Sequence, residues 1–331
     1  MKALVLEEVG NLKVKDVSTP YVSADEVLVR VGACGICGSD IPRAYKDGAH
    51  VMPLVLGHEF AGTVEAVGAN VEKSWYGKRV GVFPLIPCME CECCKDRKYE
   101  MCKSYGYLGS RRDGGFAEFV AVPEWNLIEL PDSVTIEQAA MLEPMAVAVH
   151  AIRQVKPSAD ERVVVMGLGT SGLLVVMFLL DMGVRNVSVI GNKEYQVNIA
   201  KELGASVYDG GQADVFFECV GKQESLLKGI EIMAPLGKLC TVGNPHSDMH
   251  LDRDVYWKIL RNQLTVVGTW NSSFTHEITD DWNYVVSRLQ RGTIHPENFI
   301  THKYGLDEIV DGFELMRDKK EQYVKAMMVA D

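Results

Sequence analysis

An α/β chain made of two unlike parts is predicted by three observations. The first ~145 residues are rich in Gly, Pro and Cys and carry short β-type runs. Near residue 146 the pattern changes to strands alternating with helices, the signature of a parallel sheet. A glycine-rich turn joins the first strand of that second part to its first helix.

In the first part the β-type runs are Val27–Val31, Gly62–Val67, Arg79–Phe83 and Phe116–Val122, separated by turn residues. In the second, Arg162–Met166 reads as a strand, Ser171–Met182 as a helix closed by Gly183, Asn186–Ile190 as a strand and Tyr195–Leu203 as a helix closed by Gly204. Val215–Val220, Lys238–Val242 and Thr265–Thr269 are further strands. The tail carries helical patterns over Asp281–Gln290 and Leu306–Arg317 and a last strand, Ala326–Ala330, which is expected to return to the first part. The domains are therefore placed at 1–146 with 272–331, and at 147–271. One segment breaks the pattern. Between the third-strand candidate Ser206–Tyr208 and Val215 lie only the six residues Asp209–Asp214, where a parallel crossover needs a dozen or more. Either that strand is vestigial or a helix has been lost from one face.

The 331 residues, 47% apolar and 24% charged, suit about two globular domains and exclude disorder, collagen and coiled coil. A net charge of -11 argues against nucleic acid and anionic membranes as partners, and admits a small anion only where Arg or Lys cluster. The opening residues lack the apolar core and cleavage site of a secretory signal. Val163–Leu180 is uncharged over 18 residues, long enough to span a membrane. Gly167, Gly169, Thr170, Ser171 and Gly172 in its middle make strand, turn and buried helix the better reading. A cytoplasmic protein is expected.

Gly167-Leu168-Gly169-Thr170-Ser171-Gly172 fits G-x-G-x-x-G between a strand and a helix, the context in which this motif holds a dinucleotide pyrophosphate on a helix N-terminus. The second strand ends in Gly191-Asn192-Lys193-Glu194, without the carboxylate that NAD-binding turns present to the ribose 2′-OH. Glycine makes room for a 2′-phosphate and Lys193 offers it a cation, so NADP is favoured over NAD. The alternative is that Lys193 is a solvated helix-start residue and Glu194 meets the ribose.

Five of the nine cysteines fall within 15 residues. Cys88, Cys91, Cys94 and Cys102 have the spacing of a closed four-thiolate structural zinc site, leaving Cys93 spare. Cys37 (in Cys37-Gly38-Ser39-Asp40), His58 (in Gly57-His58-Glu59) and Glu143 (in Leu142-Glu143-Pro144) could supply the three ligands of an open, catalytic zinc. Taken singly, each of these has a bland reading, as packing or a solvated carboxylate.

Together these motifs, in this order, resemble the zinc-dependent medium-chain alcohol and polyol dehydrogenases over the whole chain. Within that family, Asp40-Ile41-Pro42-Arg43, Lys46–His50, Gly109–Phe116, Lys258–Arg261, Leu264–Val266 and Gly268–Trp270 are similar to the galactitol-1-phosphate 5-dehydrogenases. The resemblance implies a GroES-like β catalytic domain and a doubly wound (Rossmann) domain, two zinc ions per chain, and a homodimer or homotetramer. It implies Cys37, His58 and Glu143 as catalytic-zinc ligands, with Glu59 as an alternate. Ser39 would hold the substrate hydroxyl and pass its proton outward, and His50 would end that relay unless it is a plain loop histidine. Asp40 would hydrogen-bond the metal-bound imidazole, unless it only forms a turn.

Arg43, Arg111 and Arg112, with Lys46, gather cations near this site in an acidic chain, and Arg pairs bidentately with phosphate. A polyol phosphate such as galactitol 1-phosphate is the expected substrate; the competing account pairs these cations with Asp113 or Asp47. Two further readings are a dehydrogenase of an unphosphorylated polyol, secondary alcohol or threonine, and a zinc-free NADPH enone reductase or non-catalytic nucleotide-binding relative. The complete Cys/His/Glu set disfavours the last.

Overall fold

The computed structural model describes residues 1–245 and 247–330. The chain forms two compact units, Met1–Glu143 with Ser273–Asp331, and Pro144–Ser272. No described helix is long and apolar enough to cross a membrane.

The first unit is built on a sheet in the order Leu127–Glu129, Arg79–Val82, Glu59–Val67, Glu26–Gly35, Lys325–Val329, Ile300–Tyr304, with Phe119–Pro123 also paired to Glu26–Gly35. Inward-facing Val27, Val29, Val31, Val64, Val80, Val82 and Phe116 fill its core. Two registers position the site. Gly35 stands opposite Glu59 and Cys34 opposite Phe60. On the other flank Gly35 stands opposite Met327, and the Ile36 N–H donates to the Ala326 carbonyl at 2.9 Å. The chain just past Gly35 therefore emerges between Glu59 and the start of the final strand. The run expected over Phe116–Val122 becomes a strand only at Phe119. Before that, Phe116 bonds Leu56 and Leu4 through its backbone, and Ala117 forms a lone bridge with Ala3.

The second unit is a six-stranded parallel sheet in the order Ser206–Val207, Asn186–Ile190, Arg162–Met166, Ala213–Glu218, Met233–Thr241, Thr265–Gly268. This is the doubly wound 3-2-1-4-5-6 order. The helix Thr170–Asp181 is buried continuously from Gly172 to Leu179, which accounts for the long uncharged run. The helices Gln223–Ile232 and Arg253–Arg261 lie in segments for which the sequence reading assigned no element. The fourth strand ends at Glu218 rather than Val220. The buried Glu218 carboxylate accepts the Val220 and Gly221 N–H groups at 2.7 and 2.9 Å and the Ser225 hydroxyl at 2.6 Å, turning the chain out of the sheet.

The short segment resolves both ways at once. The third strand is only two residues long, and the chain runs from it to Ala213 with no helix between. Val164, Ser188 and Ser206 lie in one row across three strands, beside a shallow groove that Tyr208 also lines. Serines at Ser188 and Ser206 suit a sheet face that no helix covers.

Candidate active site

Cys37, Ser39 and Asp40 follow the strand Glu26–Gly35, and His58 and Glu59 begin the neighbouring strand. Ligand atoms of Cys37, His58 and Glu59 lie within 4.8 Å of one another. The register above is the reason. A Cβ on Gly35 would stand 2.3 Å from Glu59 Oε2 and 2.7 Å from Lys325 Cε, so a side chain there would push these two groups aside.

That measurement exposes a partner the sequence reading missed. Lys325 is buried and its ammonium pairs with the buried Glu59 carboxylate. It also donates to the Ile36 carbonyl at 3.0 Å. Burial works against its charge, but Glu59, Cys37 and Glu143 hold its pKa above the usual lysine range. Nothing local could have signalled it, since Lys325 is 266 residues from Glu59.

Glu143 stands beside this group rather than among the three clustered residues. Its Oε1 accepts the Tyr107 hydroxyl at 3.2 Å. Burial, only partly offset by His58, raises its pKa to about 7. Tyr107 is the second missed residue; it is half-buried, and its ring meets His58 edge-on at 5.8 Å between centroids.

Asp40 organises the other side. Its Oδ2 accepts the Cys37 N–H at 3.0 Å, and its Oδ1 accepts Arg43 at 2.6 Å. His58 Nδ1 lies 3.4 Å from the same Oδ1, yet that buried nitrogen has no hydrogen-bond partner. Asp40 and the His58 imidazole therefore stand face to face, as expected, at the long end of hydrogen-bond reach. Burial favours a neutral histidine, but the Asp40 and Cys37 charges raise the His58 pKa well above its usual range. The Ser39 hydroxyl donates to Cys37 Sγ at 3.3 Å. A soft thiolate, an imidazole and a carboxylate with their ligand atoms within 4.8 Å of one another fit a zinc ion.

Of the phosphate candidates, Arg43 and Arg111 both lie near the exposed His50. Burial first, and then the charges of Arg111 and Arg43, push the His50 pKa down. Arg111 also sits 4.8 Å over the Tyr105 ring. Arg112 pairs with Glu26 at 2.6 Å.

Cys88, Cys91, Cys94 and Cys102 place their sulfurs within 4.8 Å of one another, with near contacts of 3.5, 3.9 and 4.0 Å. Tetrahedral Zn–S bonds of about 2.3 Å require sulfurs about 3.8 Å apart. Backbone N–H groups point at two of these sulfurs, and those of Lys103 and Cys94 lower the Cys91 thiol to about 6. All nine cysteines are free thiols, and Cys93 stays outside the four.

In the second unit, the three glycines of the turn differ in what they permit. Gly167 has φ +94°, and a Cβ on Gly172 would meet the Gly167 carbonyl at 1.8 Å. A Cβ on Gly169 would meet nothing within 4 Å, so this side of its backbone is open to a pyrophosphate. Thr170 opens the helix and Ser171 is exposed beside it. Gly191 packs against Leu168 of the same turn, and a Cβ there would meet Leu168 Cδ1 at 2.7 Å. The exposed Asn192 follows, then Lys193 at the N-cap of the helix Glu194–Leu203, its ammonium 5.8 Å over the Tyr195 ring.

The alcohol dehydrogenase GroES-like domain family matches residues 23–132, and the glucose dehydrogenase C-terminus family matches residues 136–328. Galactitol 1-phosphate 5-dehydrogenase of Escherichia coli K12 is 33% identical over 92% of each chain. Sorbitol dehydrogenase of Bacillus subtilis 168 is 28% identical over 99% of this chain and 97% of its own. The crystal structure of galactitol-1-phosphate dehydrogenase from Escherichia coli superposes with TM-score 0.92 at 31% identity, covering 99% of this chain and 100% of that one. A Sinorhizobium meliloti 1021 structure bound to NADP gives TM-score 0.91 at 28% identity, covering 99% and 98%. An Escherichia coli CFT073 dehydrogenase complexed with NADH gives 0.91 at 27%, covering 99% of each.

Replacing Lys325 by Met strands the Glu59 charge in the interior. A loss of about 3–5 kcal/mol is expected, read from the urea midpoint, and the Lys325→Met/Glu59→Gln double variant should recover part of it. The raised Glu143 carboxyl gives a second outcome. A folded-state pKa of about 7 against the usual 4.5 means that the metal-free folded chain holds a proton the unfolded chain has released. Its stability should therefore fall as pH rises from 4.5 towards 7, and Glu143→Gln should remove that slope.

Proposed function

The chain belongs to the zinc-type medium-chain alcohol dehydrogenases, and from that premise we propose that it moves a hydride between a polyol phosphate and NADP. The first unit is the catalytic domain and the second binds the dinucleotide. The observation that carries the substrate class is the gathering of Arg43, Arg111 and His50 next to the Cys37–His58–Glu59 group in a chain of net charge -11.

Cys37 and His58 would hold the catalytic zinc, with Glu143 and Glu59 as the carboxylates available to it. A zinc ion held by these residues would supply the Lewis acidity that makes a substrate hydroxyl more acidic, and a bound nicotinamide would supply the hydride acceptor. Ser39, already on the Cys37 sulfur, receives the hydroxyl proton and hands it towards His50 at the surface. Arg43 and Arg111 hold the phosphoryl group. The four-cysteine lobe takes the second zinc, as structural metal. Gly167, Gly169, Thr170, Ser171 and Gly172 seat the pyrophosphate, and Gly191, Asn192 and Lys193 seat the 2′-phosphate. Thiols used as metal ligands suit a reducing compartment, which supports a cytoplasmic enzyme.

The partner, besides substrate, is a second copy. The edge strand Thr265–Gly268 is largely exposed, no residue of the helix Arg253–Arg261 is buried, and Tyr256, Trp257, Leu260, Val266 and Trp270 present apolar surface there. An open parallel edge beside such a face favours symmetric pairing of two chains.

An unphosphorylated polyol is the second reading, and the observation in its favour is that Arg43 already has a carboxylate partner. The comparison of kcat/KM for galactitol 1-phosphate and galactitol with NADP decides between them. A preference of tenfold or more for the phosphate, about 1.4 kcal/mol, is expected; equal efficiencies would establish the second reading. Lys193→Ala should reduce the NADP-over-NAD preference by about tenfold, the scale of one exposed phosphate contact. An unchanged ratio would show that Lys193 does not meet the 2′-phosphate.

A further inference from the structure

A catalytic zinc needs three protein ligands and one open position, and a fourth protein donor closes the shell. This site offers four donors. Cys37, His58 and Glu59 have their ligand atoms clustered. Glu143 stands outside that cluster, yet close enough for the charges of His58 and Glu59 to act on it. Each of the two carboxylates has a restraint of its own. Glu59 gives Oε2 to the buried Lys325 ammonium. Glu143 Oε1 accepts the Tyr107 hydroxyl at 3.2 Å. That phenol is fixed from several directions. Tyr107 lies in the two-residue strand Gly106–Tyr107, opposite Leu85. Its carbonyl accepts the backbone N–H groups of Ser110, Arg111 and Arg112 at 3.3, 2.9 and 3.1 Å. Its ring meets His58 at 5.8 Å and Tyr105 at 6.2 Å, edge-on to both. The hydroxyl is therefore held in place by the backbone around it and by two neighbouring rings.

We infer that Tyr107 is a positioning residue whose hydroxyl holds Glu143 off the metal, so that a zinc ion on Cys37, His58 and Glu59 keeps one coordination position for substrate. This rests on the zinc site assigned above and deepens it, by naming which carboxylate stays out and what keeps it out. A bound divalent cation is the largest local charge in such a site. Without the phenol donor, that charge is the dominant attraction on the Glu143 carboxylate, and a fourth protein ligand would close the shell in the manner of a structural site. The phenol thus gives up some metal retention in exchange for access. It acts through Glu143 and touches no reacting atom itself.

The test uses the full-length enzyme with both metal sites filled, the catalytic one with cobalt(II), whose visible bands report coordination. Its single sulfur absorbs less by charge transfer than the four-thiolate site, so the two are told apart. Tyr107→Phe keeps the ring that packs on His58 and Tyr105 and removes the donor alone. Two quantities are read without turnover: the rate at which a chelator strips the catalytic metal, and the affinity of imidazole, added as a probe of the open position. In Tyr107→Phe, metal loss should slow and imidazole binding should weaken, each by about tenfold, the scale of one neutral hydrogen bond. Neither change should appear when Tyr107→Phe is introduced into a Glu143→Gln background. Unchanged metal loss and imidazole affinity overturn the inference, and so does faster metal loss, which would make Tyr107 a support of the metal. Changes that persist in the Glu143→Gln background also overturn it, since Tyr107 would then act through the His58 ring. A Cys37→Ser chain that still takes up two metal ions removes the zinc-site reading itself, and the inference with it.

Discussion

The ion pair between Glu59 and Lys325, laid across Gly35, is the constraint from which the site follows. Both groups are buried, and a buried charge without its partner is strongly destabilising. The first strand of the site, the second strand and the C-terminal strand can therefore come together in only one register. That register brings Cys37, His58 and Glu59 within ligand distance of one another. Gly35 is what lets the pair close, because any side chain there would occupy its place. The chain's last strand is thus part of the metal site's frame, although it contributes none of the Cys, His or Glu donors.

The two carboxylates of the site are consequently unlike. Glu59 is held by a charged ammonium, itself anchored on the Ile36 carbonyl, and Glu143 by one neutral phenol. A charge-assisted bond is roughly twice as strong as a neutral one, so Glu143 is the more easily displaced of the two. On the opposite side the buried Asp40 carboxylate is held by the Arg43 guanidinium and the Cys37 N–H, with His58 Nδ1 3.4 Å from the oxygen that Arg43 bonds. The behaviour of each of these buried acids is set by what it is paired with.

The second unit shows how a nucleotide fold tolerates a loss. The helix that usually joins the third and fourth strands is absent, and the third strand has shrunk to two residues at the sheet edge. Polar Ser188 and Ser206 lie where that helix would have required apolar contacts. The glycine-rich turn is untouched, because its geometry depends on the first strand, the first helix and the Glu218-locked turn beside them.

By itself, the sequence determined the elements and the donors. Period and turn chemistry placed Arg162–Met166 and Asn186–Ile190 to the residue, because Val163, Val164 and Val165 in the one and Val187 and Val189 in the other must be buried and both runs are bounded by turn formers. The Cys88–Cys102 spacing and the glycine-rich turn were legible for the same reason: both are local, and their chemistry is written in a few adjacent positions. Tertiary structure alone decided the pairings. Lys325 on Glu59, Tyr107 on Glu143, Arg43 on Asp40, and Arg112 on Glu26 are choices among many possible partners for each group. They depend on sheet register and on depth of burial, and a side chain's sign and position in the chain specify neither.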